Sequence, residues 1–320
     1  MIAARLLRES FRAVGTDCAI AVTCGAGDTQ RAQRALAAGR REIERCEQAL
    51  SRFRTDSDLC RLNRGHGRWV AVDGRLAEAL RAALRVRDAT GGRYDPTILR
   101  VLEAAGYDRS FEELSRRPGR TLGDWRPGAA VDVDLRSGRA RVEPGAAVDL
   151  GGTGKGFAAE RAIGAMREVW FELPGALVDL GGDIVVSGTP AGGGPWRLAV
   201  ADPRSAGGVL ATLELDGGAV ATSGRDQRRF GALRELHHLV DPAAGAVATA
   251  GPLSVSVVGG DAVEVEGFAT ALAITPIGEA AACLAARPLL SALLVPDVGT
   301  PIVLGDLPTH SEIPMLEVSA

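Results

Sequence analysis

The sequence of 320 residues is poor in several features, and each shortage excludes a class of protein. Its five cysteines are an odd number, scattered along the chain, without any CxxC pair. This pattern argues against a disulfide framework and against a zinc site. The longest apolar runs are far too short to cross a bilayer, so we expect no membrane insertion. The formal net charge of -3 provides no basic face for nucleic acid, which we exclude as a partner.

The N-terminal residues lack the uninterrupted apolar stretch and cleavage site of a secretory signal, so we expect a cytoplasmic protein. The length and the 46% of hydrophobic residues suit one large domain or two modest ones. We predict a single domain over residues 1–320, with its core at about 10–304. Within it, we expect a connection between subdomains at about 115–128 and a loose tail at 306–320.

Lysine and asparagine are almost missing, because Lys155 is the only lysine and Asn63 the only asparagine. This skew indicates a drift in which Arg and Asp replaced Lys and Asn wherever the change was harmless. Arginine is a planar fork and lysine a compact point charge, so the two do not interchange where one ammonium must fit. Chance is the alternative for either residue. Lys155 stands in a glycine-rich turn, which favours a functional role.

Hydrophobic patterning predicts strands in clusters with helices between them. The predicted helices cover residues 28–50, 76–90, 157–167, 263–274 and 278–286. The predicted strands cover residues 11–23, 131–135, 139–143, 176–188, 196–201, 209–222, 236–241 and 253–258, with short ones near 293 and 302. Residues 51–64 are predicted as a polar loop with a short helical turn. Because the strands do not alternate strictly with helices, the pattern favours an α+β fold over a doubly wound sheet.

The strongest local pattern is a glycine-rich turn before a predicted helix, Asp149-Leu-Gly-Gly-Thr-Gly-Lys-Gly156. Glycines let the backbone approach a ligand closely, and free N–H groups at a helix start favour an anion. The lysine suits a phosphate. The segment is not a P-loop, since Gly156 rather than Ser or Thr follows the lysine, and it is not a proven GxGxxG fingerprint. A plain glycine turn is the alternative.

Two other pairs of residues could carry chemistry. Glu266 and Thr270 share one face of a predicted helix and offer hard oxygen ligands of the kind that Mg²⁺ takes. A solvated glutamate beside a threonine that bonds its own backbone is the alternative. His237 and His238 face opposite sides of a predicted strand, so at most one can serve as a general base. A structural role is the alternative for both histidines. The sequence has no GxSxG or HExxH motif to support a hydrolase or a zinc enzyme.

Nine short segments, taken in chain order over about residues 11–274, resemble the ApbE family of FAD:protein FMN transferases. The segments are Val14-Gly15-Thr16, Ser51-Arg52-Phe53, Ser57 with Leu62-Asn63, Gly92-Arg93-Tyr94-Asp95-Pro96-Thr97, Asp149-Leu150-Gly151-Gly152 with Lys155-Gly156, Leu180-Gly181-Gly182-Asp183-Ile184, Ala221-Thr222-Ser223-Gly224, His238-Leu239-Val240-Asp241-Pro242 and Ala269-Thr270-Ala271-Leu272. Each is weak alone, but nine in the same order are a strong signal.

The resemblance implies a T-fold-like α+β structure of mixed and antiparallel sheets flanked by helices, with FAD in a cleft between two subdomains. It also implies a reaction that depends on Mg²⁺ at the pyrophosphate. A threonine hydroxyl of an acceptor protein attacks the FMN phosphorus, and AMP leaves. The acceptor would carry a segment of the form Asp-Gly/Ala-x-Ser/Thr-Gly/Ser-Ala-Thr, whose last threonine receives the FMN.

Carried over residue by residue, the resemblance implies a role for particular side chains. It assigns the metal to Glu266, Thr270 and the backbone carbonyl of Gly154. It makes His238 the base that helps to deprotonate the acceptor hydroxyl, and Lys155 a positive charge near the flavin or the phosphates. The residues that would bind FAD are Ser51, Asn63, Asp95, Thr97, Asp149, Lys155, Gly156, Ser223 and Gly224.

The chain departs from the family pattern at four positions. Glu266 stands where aspartate is usual, and Gly154 where alanine is usual. Val14 replaces a methionine and Asp226 a tyrosine. The changes at 266 and 226 leave two alternatives open: an FAD pyrophosphatase that uses water as acceptor and yields FMN and AMP, and a flavin-binding protein without turnover.

Overall fold

The structure, a computed structural model, describes residues 4–109, 114, 122, 124–226, 229–230, 236–309 and 316–317. The helices are α1 (Thr29–Leu50), α2 (Asp58–Asn63), α3 (Gly74–Ala89), α4 (Leu99–Ala104), α5 (Gly154–Val169), α6 (Ala262–Ala273) and α7 (Ile277–Leu284). The strands are β1 (Arg5–Ala13), β2 (Thr16–Cys24), β3 (Val70–Ala71), β4 (Val131–Asp134), β5 (Arg139–Val142), β6 (Gly175–Leu180), β7 (Ile184–Gly188), β8 (Trp196–Ala201), β9 (Val209–Leu215), β10 (Gly217–Gly224), β11 (Arg229–Phe230), β12 (Leu236–His237), β13 (Val240–Asp241), β14 (Ala246–Val247), β15 (Ser254–Gly259), β16 (Ser291–Val295), β17 (Ile302–Leu304) and β18 (Leu316–Glu317).

A nine-stranded sheet runs through the protein in the order β1-β2-β6-β7-β10-β15-β16-β17-β18. Its strands pair in antiparallel fashion except for β17 and β18, which are parallel. The prediction of an α+β fold is therefore confirmed. The five predicted helices are confirmed as α1, α3, α5, α6 and α7, with ends that differ by at most three residues.

Four of the predicted strands are each two strands in the structure, and one of them, 236–241, is β12 and β13. Residues 11–23 fall in β1 and β2, which reverse at Val14 and Gly15 with φ of 46° and 71°. Residues 176–188 are β6 and β7, joined by a turn in which Gly181 and Gly182 have φ of 74° and 96°. Residues 209–222 leave one sheet after β9 and enter another as β10. The apolar alternation runs through these breaks, so it does not reveal them.

Helices α1, α5 and α6 cover one face of the large sheet, and α3 packs on α1 and α6. The shared core contains Ile20 of β2, Val178 of β6, Val257 of β15 and Phe268 of α6, all with no exposed surface. Ile43 of α1 is equally buried, and the apolar face of α1 packs on α5. Burial of this amphipathic layer, rather than helix propensity, stabilises the helices.

The hairpin of β8 and β9 covers the other face of the sheet. Trp196, Leu198 and Val200 alternate inward along β8 and form a second core with Val186 and Val220 of the sheet. Alternation with period two is what a half-buried antiparallel strand requires, and the predicted strand 196–201 is confirmed as β8. Residues of the loop after β8 and of β10 line the same cavity.

The two segments predicted as irregular are partly described. In the 115–128 connection, the indole N–H of Trp125 donates to the carbonyl of Pro242 (2.7 Å). In the 306–320 tail, the N–H of Glu214 donates to the carbonyl of Pro308 (2.8 Å). Residues 115–121, 123, 310–315 and 318–320 lie outside the described residues. Among the helices that the structure describes, none has the length and apolar character needed to span a membrane.

Candidate active site

A cavity of about 720 Å³ opens where the starts of α5 and α6 meet the end of the large sheet and the loop after β8. Its volume lies in the range of small-molecule sites. The predicted site residues that line it are Asp95, Asp149, Lys155, Ser223, Gly224, His238, Glu266 and Thr270. The predicted residues outside its lining are Ser51, Asn63, Thr97, Gly154 and Gly156. Eight positions spread over 176 residues of sequence numbering, from 95 to 270, thus share one cleft.

Lys155 and Glu266 line this cleft and form a cluster of charges with Asp183, which is buried beside it. The Lys155 ammonium makes a short contact with Oδ2 of Asp183 and lies 3.9 Å from Oε1 of Glu266. Glu266 is buried, and its Oε1 accepts no hydrogen bond from the described residues. Burial, followed by the charge of Asp183, raises the pKa of Glu266 to about 8, although Lys155 opposes the shift. The cluster thus has one more carboxylate than ammonium groups.

Gly156 supports this cluster from outside the cavity. Its N–H donates to Oε2 of Glu266 (2.8 Å), which fixes the carboxylate. A Cβ on Gly156 would lie 2.3 Å from the carbonyl oxygen of Ala262, the first residue of α6. Only glycine lets the two helix starts come this close. The close packing of helices explains this glycine of the Gly-Lys-Gly pattern.

The glycine turn lies directly against Thr270. A Cβ on Gly152 would lie 2.9 Å from the Thr270 hydroxyl and 3.0 Å from Cε2 of Tyr94. The hydroxyl of Ser223 is 3.5 Å from that of Thr270. Tyr94 is buried and shares a 2.8 Å hydrogen bond with Thr153, and burial raises the pKa of its phenol. Two hydroxyls and the buried carboxylate of Glu266 therefore face one cleft beside the Lys155 ammonium.

Magnesium suits this set of donors. Among the described residues no group of three or more His, Cys, Asp or Glu side chains could hold a metal. Mg²⁺ commonly binds through one or two carboxylates and takes its other oxygens from waters and substrate phosphates. The bare Oε1 of Glu266 and the hydroxyl of Thr270 supply such a partial shell. Gly154 begins α5, and the structure leaves its predicted carbonyl contact untested.

Asp95 and Thr97 stabilise a loop at the edge of the cleft. Oδ1 of Asp95 accepts from the N–H (2.8 Å) and the hydroxyl (2.7 Å) of Thr97. Its Oδ2 accepts from the N–H of Gly128 (2.6 Å). The N–H of Asp149 donates to the carbonyl of Pro96 (2.7 Å) and joins this loop to the glycine turn. Asp95 lines the cleft, whereas Thr97 is fully buried behind it.

Asn63 and Ser51 also make bonds to the backbone nearby. The Asn63 amide donates to the carbonyl of Val148 (2.9 Å) and accepts from its N–H (2.8 Å). This pair needs a donor and an acceptor on one side chain, which an aspartate carboxylate cannot supply. Ser51 accepts from the N–H of Phe53 (3.2 Å). The single asparagine of the chain thus has a structural role, because its two hydrogen bonds hold the segment that leads into the glycine turn.

Sequence reasoning missed Arg52, which is the partner of Asp149. Its Nε lies 2.7 Å from Oδ2 of Asp149, and its Nη1 donates to the carbonyl of Tyr107 (2.9 Å). The guanidinium stacks 4.1 Å from the Phe53 ring centroid and 4.4 Å from that of Tyr107. Oδ1 of Asp149 meanwhile accepts from the N–H of Gly151 (2.7 Å). The Ser51-Arg52-Phe53 segment was a signal, but the sequence does not reveal a partner 97 positions away.

The two histidines differ in placement, as predicted. His237 is buried and its Nδ1 accepts from the N–H of Leu239 (3.3 Å), whereas His238 lines the cleft. The predicted strand 236–241 is broken, because β12 ends at His237 and β13 begins at Val240. His238 reaches the cleft from this short break.

Known proteins match this chain over most of its length. A family model described as the ApbE family matches residues 14–294. A protein of Salmonella typhimurium named FAD:protein FMN transferase is 27% identical over 259 residues, covering 77% of this chain and 73% of that protein. A protein of the same name from Treponema pallidum is 28% identical over 272 residues, covering 79% and 74%.

Solved structures share the fold. The ApbE protein of Thermotoga maritima superposes with a TM-score of 0.77 at 27% identity, covering 93% of this chain and 96% of that one. The flavin transferase ApbE of Vibrio cholerae also gives 0.77, at 21% identity and coverage of 94% and 97%, and shows the fold alone. Because the family match spans most of the sequence and the site residues meet in one cleft, this chain belongs to the ApbE family.

Proposed function

We propose that this chain is an enzyme that transfers the FMN moiety of FAD to a threonine hydroxyl of an acceptor protein and releases AMP in a Mg²⁺-dependent reaction. The observation that carries the proposal is the convergence of Lys155, Glu266, Thr270 and His238 on one cavity. The names of the curated relatives, FAD:protein FMN transferase, support the same activity.

The proposed reaction needs charge neutralisation more than covalent chemistry by the protein. Phosphoryl-type transfer depends on positioning and on electrostatic stabilisation of the phosphate oxygens. Lys155 supplies a fixed ammonium at the start of α5, where backbone N–H groups also favour an anion. We assign the pyrophosphate of FAD to this end of the cleft, and the flavin and adenosine to the part lined by Asp95, Asp149, Ser223 and Gly224.

We assign magnesium to Glu266, Thr270 and the carbonyl of Gly154. When bound, the ion neutralises pyrophosphate charge and so assists the departure of AMP. Oε2 of Glu266 is already held by Gly156, which leaves Oε1 as the oxygen for the ion. The glutamate is one methylene longer than the aspartate usual in the family, and Gly156 orients this longer side chain.

His238 would accept the proton of the acceptor threonine. A new bond then forms between the threonine oxygen and the FMN phosphorus, while the bond from that phosphorus to the bridging oxygen breaks. AMP leaves with the bridging oxygen. The acceptor threonine would lie in an Asp-Gly/Ala-x-Ser/Thr-Gly/Ser-Ala-Thr segment. The cytoplasmic location of this chain stays a prediction.

The test is incubation of the pure protein with FAD and MgCl₂, with and without a peptide carrying that segment. We expect peptide mass to increase by one FMN and AMP to appear in equal amount. AMP that forms equally well without the peptide would favour the pyrophosphatase. Bound FAD with no AMP under either condition would favour a flavin-binding protein without turnover. Absence of FAD binding would contradict all three functions.

A further inference from the structure

Asp183 is the buried member of the charge cluster with Lys155 and Glu266. No role was predicted for it from the sequence. It follows the Gly181-Gly182 turn between β6 and β7, and its carbonyl accepts from the N–H of Leu180 (2.9 Å) to close that turn. Its side chain is 5% exposed, and Oδ2 makes the short contact with the Lys155 ammonium. A buried carboxylate is costly unless it is paired and hydrogen-bonded, so this placement requires the lysine.

The second oxygen of Asp183 joins a third element to the pair. Oδ1 accepts from the N–H of Thr222 in β10 (3.3 Å). The next residue, Ser223, lines the cleft and faces Thr270. One carboxylate therefore connects the β6–β7 turn, β10 and the first turn of α5. Oε1 of Glu266 in α6 lies 3.9 Å from the same ammonium.

Lys155 needs such an anchor because its side chain is long and flexible. Ordering a lysine side chain costs conformational entropy, which a contact must offset. The carboxylate of Glu266 is farther from the ammonium, at 3.9 Å. Oε2 of Glu266 is also occupied by Gly156. Of these two carboxylates, Asp183 is the one in direct contact with the ammonium.

We infer that Asp183 is a positioning residue that holds the Lys155 ammonium toward the phosphate end of the cleft. The expected effect on the rate rests on the proposed function, whereas the ion pair between Asp183 and Lys155 does not. Misplacement of a group by about 1 Å can cost about 10²-fold in rate. Loss of the anchor should therefore slow FMN transfer at saturating FAD by about that factor.

Asp183→Asn is the appropriate change because the amide oxygen can still accept from Thr222 while the charge on Oδ2 is lost. Asp179→Asn is a matched control in the same turn: Oδ1 of Asp179 accepts from the N–H of Gly182 (2.8 Å), and its carboxylate does not belong to the described ion pair with Lys155. Asp179→Asn should keep the wild-type urea midpoint, whereas Asp183→Asn should lower it because Lys155 loses its buried partner. The two variants are therefore compared under conditions in which both are folded.

The single lysine permits a direct measurement without substrate. Protein grown with ¹⁵N-lysine has one Nζ resonance, and an ammonium held in a buried ion pair exchanges its protons slowly enough to be seen. We expect this resonance in the wild-type protein and in Asp179→Asn, and its loss in Asp183→Asn. A resonance retained in Asp183→Asn would overturn the inference, whether or not the protein transfers FMN.

A double-mutant cycle tests whether Asp183 acts through Lys155. Asp183→Asn is compared in the wild-type chain and in a Lys155→Met background, by kcat, KM for FAD and urea midpoint. We expect the roughly 10²-fold fall in kcat in the first background and less than a threefold change in the second. Equal losses in both backgrounds would contradict the inference, since a merely structural aspartate acts independently of the lysine. If neither background transfers FMN, the proposed function fails while the resonance still decides the ion pair.

Discussion

Replacement of glycine by alanine should have opposite effects on the free energy of unfolding at two positions of one helical turn. Gly154 and Gly156 flank Lys155 in the first turn of α5, yet a Cβ on Gly154 would meet nothing closer than Cβ of Leu150 at 3.7 Å. On Gly156 it would lie 2.3 Å from the oxygen and 2.7 Å from the carbon of the Ala262 carbonyl. Backbone atoms of α6 cannot swing aside as a side chain can. The pair therefore isolates helix packing from helix propensity.

The magnitudes follow from these contacts. Gly154→Ala should raise the free energy of unfolding by about 0.5–1 kcal/mol, because alanine loses less backbone entropy than glycine in a helix. Gly156→Ala should lower it by about 1–3 kcal/mol through overpacking. It should also weaken the bond from Gly156 to Glu266, since α5 must move away from α6. The two variants should thus differ by about 3 kcal/mol.

Urea unfolding followed by circular dichroism measures this difference. With a urea dependence of about 3 kcal/mol per M, the two midpoints should be separated by about 1 M. Both variants keep Lys155 and its charge. A difference between them in FAD affinity therefore reports the change in packing between α5 and α6. Equal midpoints would refute the reasoning, because α6 would then tolerate a methyl group that the distances forbid. A lower midpoint for Gly154→Ala would show that this first helical position requires glycine for another reason.

Three further predictions rest on separate features of the chain. Val14→Asn should raise the free energy of unfolding by about 1 kcal/mol, because a β-branched residue is strained at the φ of 46° that the β1–β2 turn imposes; an unchanged thermal midpoint would contradict this. Burial raises the pKa of the Cys46 thiol to about 12, so the stability it contributes is full below pH 9 and is lost as the pH rises toward 12. Mass spectrometry after iodoacetamide treatment at pH 8 should therefore find the half-exposed Cys60 modified while Cys46 reacts only in urea, and labelling of both in the native protein would argue against the buried placement. Thr270→Val keeps the shape but removes the hydroxyl that we assign to magnesium, so AMP formation at limiting MgCl₂ should fall at least tenfold relative to wild type and recover partly at high MgCl₂; activity equal to wild type at every concentration would reject the assignment.

The helices and the fold class follow from the sequence because they depend on local periodicity. Apolar residues at helical spacing predict α1, α3, α5, α6 and α7 to within three residues at each end. Six-residue α4 is too short to show a period, and it was not predicted. The order of the nine matching segments likewise identifies the family, which the match over residues 14–294 confirms.

Chain reversals within apolar alternation were decided by the tertiary structure. The Val14-Gly15 and Gly181-Gly182 turns lie in patterns that read as continuous strands. A strand that turns back keeps its apolar residues toward the same core, so the period of two continues across the turn. Only the pairing partners show where each strand ends.

The pairing of charged residues within the site was also decided by the tertiary structure. Lys155, Glu266, Thr270 and His238 were predicted from residue type and family resemblance, and they share one cavity. Asp183 and Arg52 were overlooked because a carboxylate or a guanidinium has meaning only beside its partner, and the partners are 28 and 97 positions away. The sequence by itself determines which chemical groups are available. Which of them are buried together, and so which charges must be paired, is set only when α5, α6 and the end of the sheet meet, because the energy of a charge depends on its surroundings.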